Sequence, residues 1–152
     1  MIQLKIKEEL RLVCVNFLAS KLNIIQDTIN SNQEALHTES KSSAGDKHET
    51  GRAMLQLEME KAGQQIAVLQ QMKLVVEKIT SDRLTDVVSL GAVIRTDFAN
   101  YYMGISIGRV EIENETYFVI SPSSPIGQLL LGKFVNDSFI FQGRISKILE
   151  VY

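Results

Sequence analysis

The spacing of hydrophobic positions changes once along the chain. In the first half, Ile6, Leu10, Val13 and Phe17 recur at alternating intervals of four and three, and Leu18, Leu22, Ile25, Ile29 and Leu36 carry the stripe onward. That spacing gathers apolar groups along one seam of a long helix. The stripe dissolves into the polar run from His37 to Gly45, which reads as a connection. It resumes with Leu55, Met59, Ala62, Ile66, Leu69, Met72, Val76 and Ile79. Two long amphipathic helices joined by a short polar segment are expected to fold back as an antiparallel coiled-coil hairpin. Two helices of a bundle would fit the same pattern, but this half holds no third helical stripe to complete one. Ser43, with Asp46 three residues later, has capping-box spacing for the start of the second helix. That helix is expected to end near Thr80-Ser81-Asp82.

Beyond residue 82 the pattern shortens. Both prolines, Pro122 and Pro125, lie here, whereas residues 1–80 hold only Gly45, Gly51 and Gly63 as glycines and no proline. Gly91 to Thr96, Tyr101 to Ile107, Thr116 to Ser121, Val135 to Phe141 and Ile145 to Tyr152 are rich in β-branched and aromatic residues and predict strands. Glu113-Asn114 is placed at a hairpin turn. Ser124 suits a helix N-cap, Pro125 the first helical position and Gly132 the exit, so one short helix is expected between them. The fold class is therefore α+β, with a helical hairpin over 1–80 whose tip lies near 38–50, and an antiparallel β domain with one helix over 81–152.

Composition narrows what such a chain can do. A net charge of −2 argues against binding nucleic acid by itself, since a duplex binder carries surplus Lys and Arg. Cys14 is the single cysteine and sits within the apolar helical pattern, where a buried small hydrophobe is expected. The start lacks the apolar stretch of a signal peptide, and no run approaches the ~20 apolar residues of a membrane span. A cytoplasmic protein with no membrane contact is expected.

Four short motifs carry a resemblance. Ser124-Pro125-Ile126-Gly127, Leu130-Leu131-Gly132-Lys133, Val135-Asn136-Asp137 and Ile148-Leu149-Glu150-Val151 match, in order and spacing, the C-terminal domain of the bacterial Gre transcription factors. Asn136 stands where that family has glycine. At the expected hairpin tip, Gly45-Asp46-Lys47-His48-Glu49 is similar to the start of the family's Gly-Asp-x-x-Glu-Asn-Ala-Glu-Tyr motif. Asp46 and Glu49 fall on its two functional acids, while Arg52 replaces a glutamate and Ala53 a tyrosine.

The resemblance implies an FKBP-like C-terminal domain and a monomeric transcription elongation factor that binds RNA polymerase. Its hairpin would enter the secondary channel of the enzyme and stimulate cleavage of backtracked transcripts. Such a factor is not an enzyme alone, because it assists the endonuclease activity of the polymerase. Asp46 and Glu49 would share the weakly held Mg²⁺ of the polymerase, Asp46 helping to hold the ion and Glu49 helping to orient or deprotonate the attacking water. RNA and DNA would be met only through the polymerase. Ser124, Pro125 and Ile126 occupy the part of the family domain that docks on the polymerase.

Residue chemistry alone gives blander readings of the same positions. Acids in a first helical turn suit the helix dipole without any catalytic role, and Ser124 and Pro125 serve equally as a helix start. A non-cleaving channel regulator and a coiled-coil adaptor are the alternative functions. A prolyl isomerase is disfavoured, because no aromatic-lined pocket is expected from the few aromatic residues.

Overall fold

The computed structural model describes residues 1–41 and 46–152, and the side chains of 1–38 and 49–152. Two long helices come first, α1 (Ile2–Lys41) and α2 (Asp46–Glu77). They are followed by β1 (Val93–Thr96), β2 (Asn100–Met103), β3 (Gly108–Ile112), β4 (Glu115–Ile120), α3 (Pro125–Leu130), β5 (Ser138–Phe141) and β6 (Arg144–Val151). The α+β class expected from the change of period is the class observed. The chain forms two compact units, one of Leu18–Lys73 and one combining Met1–Phe17 with Leu74–Tyr152.

Leu18–Lys73 contains only helix among its described residues. Leu18, Leu22, Ile25, Ile29, Asn32 and Leu36 form the buried or half-buried stripe of α1, and Leu55, Met59, Ala62, Ile66 and Leu69 form that of α2. Each stripe buries against the other, because the described residues of this unit form no further element to cover it. One polar position interrupts the seam, where Asn32 Nδ2 donates to Glu58 Oε2 at 3.4 Å. The hydrogen bond satisfies an amide that is 9% exposed.

The second unit is built on a six-stranded sheet in the order β3-β4-β2-β1-β6-β5. The sheet expected to be antiparallel throughout has one parallel pair, β2 with β4, in register from Asn100↔Tyr117 to Met103↔Ile120. The reason is the β3–β4 hairpin between them in sequence. Glu113 (φ 50°) and Asn114 (φ 66°) make a two-residue turn of the kind that matches strand twist, so β3 pairs outward with β4 and β4 returns alongside β2. β3 had not been singled out as a strand; its Arg109 and Glu111 break the apolar pattern because they sit on the exposed side of the edge.

Alternation along the strands gives the sheet two apolar faces. One face holds Ile94, Tyr101, Met103 and Ile148, packed with Ile126 and Leu130 of α3. The other holds Val93, Tyr102, Tyr117 and Val119, all at most 1% exposed. The first turns of α1 cover this second face with Ile6, Leu10 and Cys14, exposed by 7%, 0% and 0%. Gly104 makes the close approach possible: a Cβ there would stand 3.2 Å from Cys14 Sγ and 3.1 Å from the Tyr102 ring. Cys14 is thus the buried small hydrophobe expected, and burial pushes its thiol pKa up.

Polar ties fix the same helix to its surroundings. Gln3 Nε2 donates to Glu150 Oε1 at 2.7 Å, and Arg11 grips both oxygens of Glu8 through Nε and Nη2, at 2.9 and 2.7 Å. Ser81 Oγ donates to the same carboxylate. On β1, Arg95 meets Glu115 at 2.7 Å and donates to the Tyr117 hydroxyl at 2.8 Å.

Several element ends differ from expectation. The stretch from Val135 is a turn before it is a strand: Asn136 has φ 76°, and Asp137 Oδ2 accepts from Phe134 N at 2.8 Å. Asn136 thus holds a left-handed backbone position, which Asn and Gly adopt more readily than other residues. Helix α2 stops at Glu77, short of Thr80, as Lys78 N and Ile79 N turn back to Val75 O and Val76 O.

Arg11, with Ser81 also contributing, holds the Glu8 carboxyl at about 2, below its ordinary 4.5. A depressed carboxyl contributes stability above the unfolded value and loses it as pH falls through the folded one. Stability should therefore drop between pH 4.5 and 2. Tm measured across that window should fall less steeply in Glu8→Gln, by a modest margin because the pair is partly open to solvent.

Candidate functional site

Asp46 is the first residue of α2 and Glu49 lies within its first turn. A separation of three places two residues on one side of a helix. The Glu49 side chain is exposed, as are Arg52 and Ala53, one turn further along. The Asp46 side chain, together with Ser43 and Gly45, lies outside the described residues. A helix N-terminus carries partial positive charge, which disfavours a bare cation beside it. Two carboxylates alone hold Mg²⁺ poorly, since the ion keeps several waters and is completed by oxygen ligands such as phosphates.

The second candidate group sits on the turn before α3. Ser124 is the N-cap, with φ −68° and ψ 158°; its hydroxyl accepts from Gly127 N at 3.1 Å and donates to Ser121 O at 2.7 Å. Pro125 follows at the first helical position, exposed on the surface. Ile126 turns inward and is 7% exposed, packed in the core under the sheet. A surface contact at this turn is therefore available to Pro125 and its polar neighbours, while the Ile126 side chain anchors the helix.

Gly127 has a steric reason to be glycine. A Cβ at this position would stand 2.0 Å from Ser121 O, a backbone atom that can move aside only by distorting the turn. The Ser-Pro-Ile-Gly pattern is thus a self-consistent capped turn: the serine bonds, the proline presets φ, and the glycine lets the preceding carbonyl approach.

A third feature overturns an expectation. Phe98, Tyr101, Phe139 and Phe141 line a cavity of about 230 Å³, with Arg144 and Ser146 at its edge. The Arg144 guanidinium carbon lies 3.9 Å from the centre of the Phe98 ring, a cation–π contact. An aromatic-lined pocket had not been expected, because its rings come from segments about forty residues apart. The alternation of Phe139 and Phe141 on β5 was the one local signal, since it places both rings on the same side of that strand.

No family model matches the chain. No curated protein matches it either. Among the described residues no helix is long and apolar enough to cross a membrane.

The Gly127 contact yields a direct test. Gly127→Ala should lower stability by about 3 kcal/mol through the forced shift of the Ser121 carbonyl. Urea denaturation read by tyrosine fluorescence suits the purpose, because Tyr101, Tyr102, Tyr117 and Tyr152 all belong to the sheet-containing unit.

Proposed function

We propose that the chain is a Gre-type factor that binds RNA polymerase, presents the start of α2 to its secondary channel, and stimulates cleavage of backtracked transcripts. The observation that carries this reading is the Ser124–Gly127 turn, where every residue of the matched motif has a defined structural task. A two-helix unit upstream, with Asp46 and Glu49 in the first turn of its second helix, supports it. In this reading the sheet-containing unit is an FKBP-like docking domain, and Ser124 and Pro125 contribute to the contact with polymerase. Location would be cytoplasmic, where the polymerase is.

The chemistry assigned to the tip follows from what two carboxylates can do. Mg²⁺ at the polymerase centre would polarise phosphate and bound water, and Asp46 and Glu49 would add charge and acceptors to its shell. Asp46 would take the ion's side, while Glu49, one turn along the same helix face, would orient the attacking water or accept its proton. Arg52, in the place of the family's glutamate, adds a cation next to this pair and lowers its combined negative charge. A channel-occupying regulator that does not stimulate cleavage is the variant this replacement favours.

A stalled, backtracked elongation complex separates these outcomes. The wild-type protein is expected to shorten the transcript, and Asp46→Ala with Glu49→Ala should slow that shortening about a hundredfold. Binding to polymerase should be unchanged. Retained binding with no shortening by the wild type would leave only the regulator reading.

The aromatic cavity favours a second reading, in which the sheet-containing unit takes an apolar or prolyl peptide segment between Phe98, Tyr101, Phe139 and Phe141. A proline-containing test peptide should then isomerise faster with the protein present, and Phe139→Ala should abolish the effect. An unchanged isomerisation rate would remove the isomerase reading.

A further inference from the structure

A lysine amine is rarely buried, because removing its charge from water costs several kcal/mol unless an anion compensates. Lys7 is 3% exposed, and its Nζ donates to Arg83 O at 2.9 Å. An ammonium has three donors, so this one carbonyl leaves the group short of partners. No ion pair compensates it: among the described residues the salt bridges involve Lys5, Arg11, Arg95 and Arg109, not Lys7, Lys78 or Arg83. Burial and the neighbouring Arg83 charge push the Lys7 pKa down, and Asp82 is the acid that opposes them.

These residues line a cavity of about 320 Å³. Lys7, Lys78 and Arg83 bring three cations to it, Thr80, Thr85 and Ser89 bring hydroxyls, and no carboxylate is among its lining residues. The hydroxyls of Thr85 and Ser89 donate to Val87 O at 3.1 and 3.4 Å, so they shape the loop after α2. Recognition is left to the cations. Arginine and lysine together supply the donors that a tetrahedral oxyanion accepts, through charge-assisted hydrogen bonds.

We propose that the Lys7–Lys78–Arg83 cavity is an oxyanion site that takes a phosphate group, either as free phosphate or as part of a diphosphate. All of its lining residues belong to the sheet-containing unit, where Lys7 of α1 meets the segment that follows α2. The site is separate from the acids at the start of α2 and from the aromatic cavity, and it does not depend on the proposed role at polymerase. A bound phosphate would supply the negative charge that the buried amine lacks, and so hold α1 to the 78–90 segment.

The test uses the whole chain with inorganic phosphate and pyrophosphate as probes, each against sodium chloride of equal ionic strength. Thermal unfolding followed by tyrosine fluorescence should show a saturable rise in Tm with either probe and none with chloride. Tighter response to pyrophosphate assigns the site to a diphosphate, and equal response assigns it to free phosphate. Arg83→Gln and Lys7→Met should each weaken the response about tenfold, the loss of a charged hydrogen bond. Should Lys7→Met fail to fold, Arg83→Gln and phosphorus NMR line broadening on the wild-type chain still decide. A rise in Tm no greater than that given by chloride, or an undiminished response in Arg83→Gln, overturns the proposal.

Discussion

The sheet has two apolar faces and therefore needs two covers. The short helix α3 serves one face with Ile126 and Leu130, packed into the cluster around Ile94 and Met103. Nothing else in residues 81–152 is helical, so the second face is left to the first turns of α1. Leu10 and Cys14 are completely buried there, and Tyr102 and Tyr117 beneath them are too. This one requirement explains the make-up of the compact units better than the change of period does. The residues that finish the sheet come from the far end of the sequence, and Gln3 bonds to Glu150 on the last strand as a direct result. Gly104 is part of the same constraint, because a side chain there would press on both Cys14 and Tyr102.

How much of this the sequence disclosed depends on whether the signal was local. Glu113-Asn114, Pro125 and Gly132 act through their own backbone preferences, and the structure places the hairpin turn, the helix start and the helix exit at those residues. The long apolar stripes were equally readable, since periodicity belongs to the helix itself. Pairing is different. The parallel β2–β4 alignment follows from where the β3–β4 hairpin folds back, and no residue type announces it. The aromatic cavity stayed hidden for the same reason, since Phe98 and Tyr101 come from one segment and Phe139 and Phe141 from another. Nothing local to Lys7 marks it as buried; the packing of the 78–90 segment over it makes it a buried cation.

The candidate sites divide along the same line. Ser124, Pro125 and Gly127 form a motif whose geometry is complete in seven residues from Ser121, so its matched pattern has a physical reading independent of any partner. Asp46 and Glu49 are legible only as acids in a first helical turn, a place where acids are common for electrostatic reasons. What would make them functional is an ion and further ligands supplied from outside the chain. The turn can be judged from its own stereochemistry, whereas the acids can be judged only in company.

The cover that α1 provides also has a consequence in time. A chain leaves the ribosome from its first residue, so Ile6, Leu10 and Cys14 emerge long before the strands they pack against. Helix pairing within Leu18–Lys73 can proceed early, because contacts such as Asn32 with Glu58 span only 26 residues. Contacts such as Gln3 with Glu150 span 147 and must wait until β6 has been made. During synthesis the opening turns of α1 are an apolar stripe without a surface to rest on. Residues made well before the sheet are thus among the last to find their place.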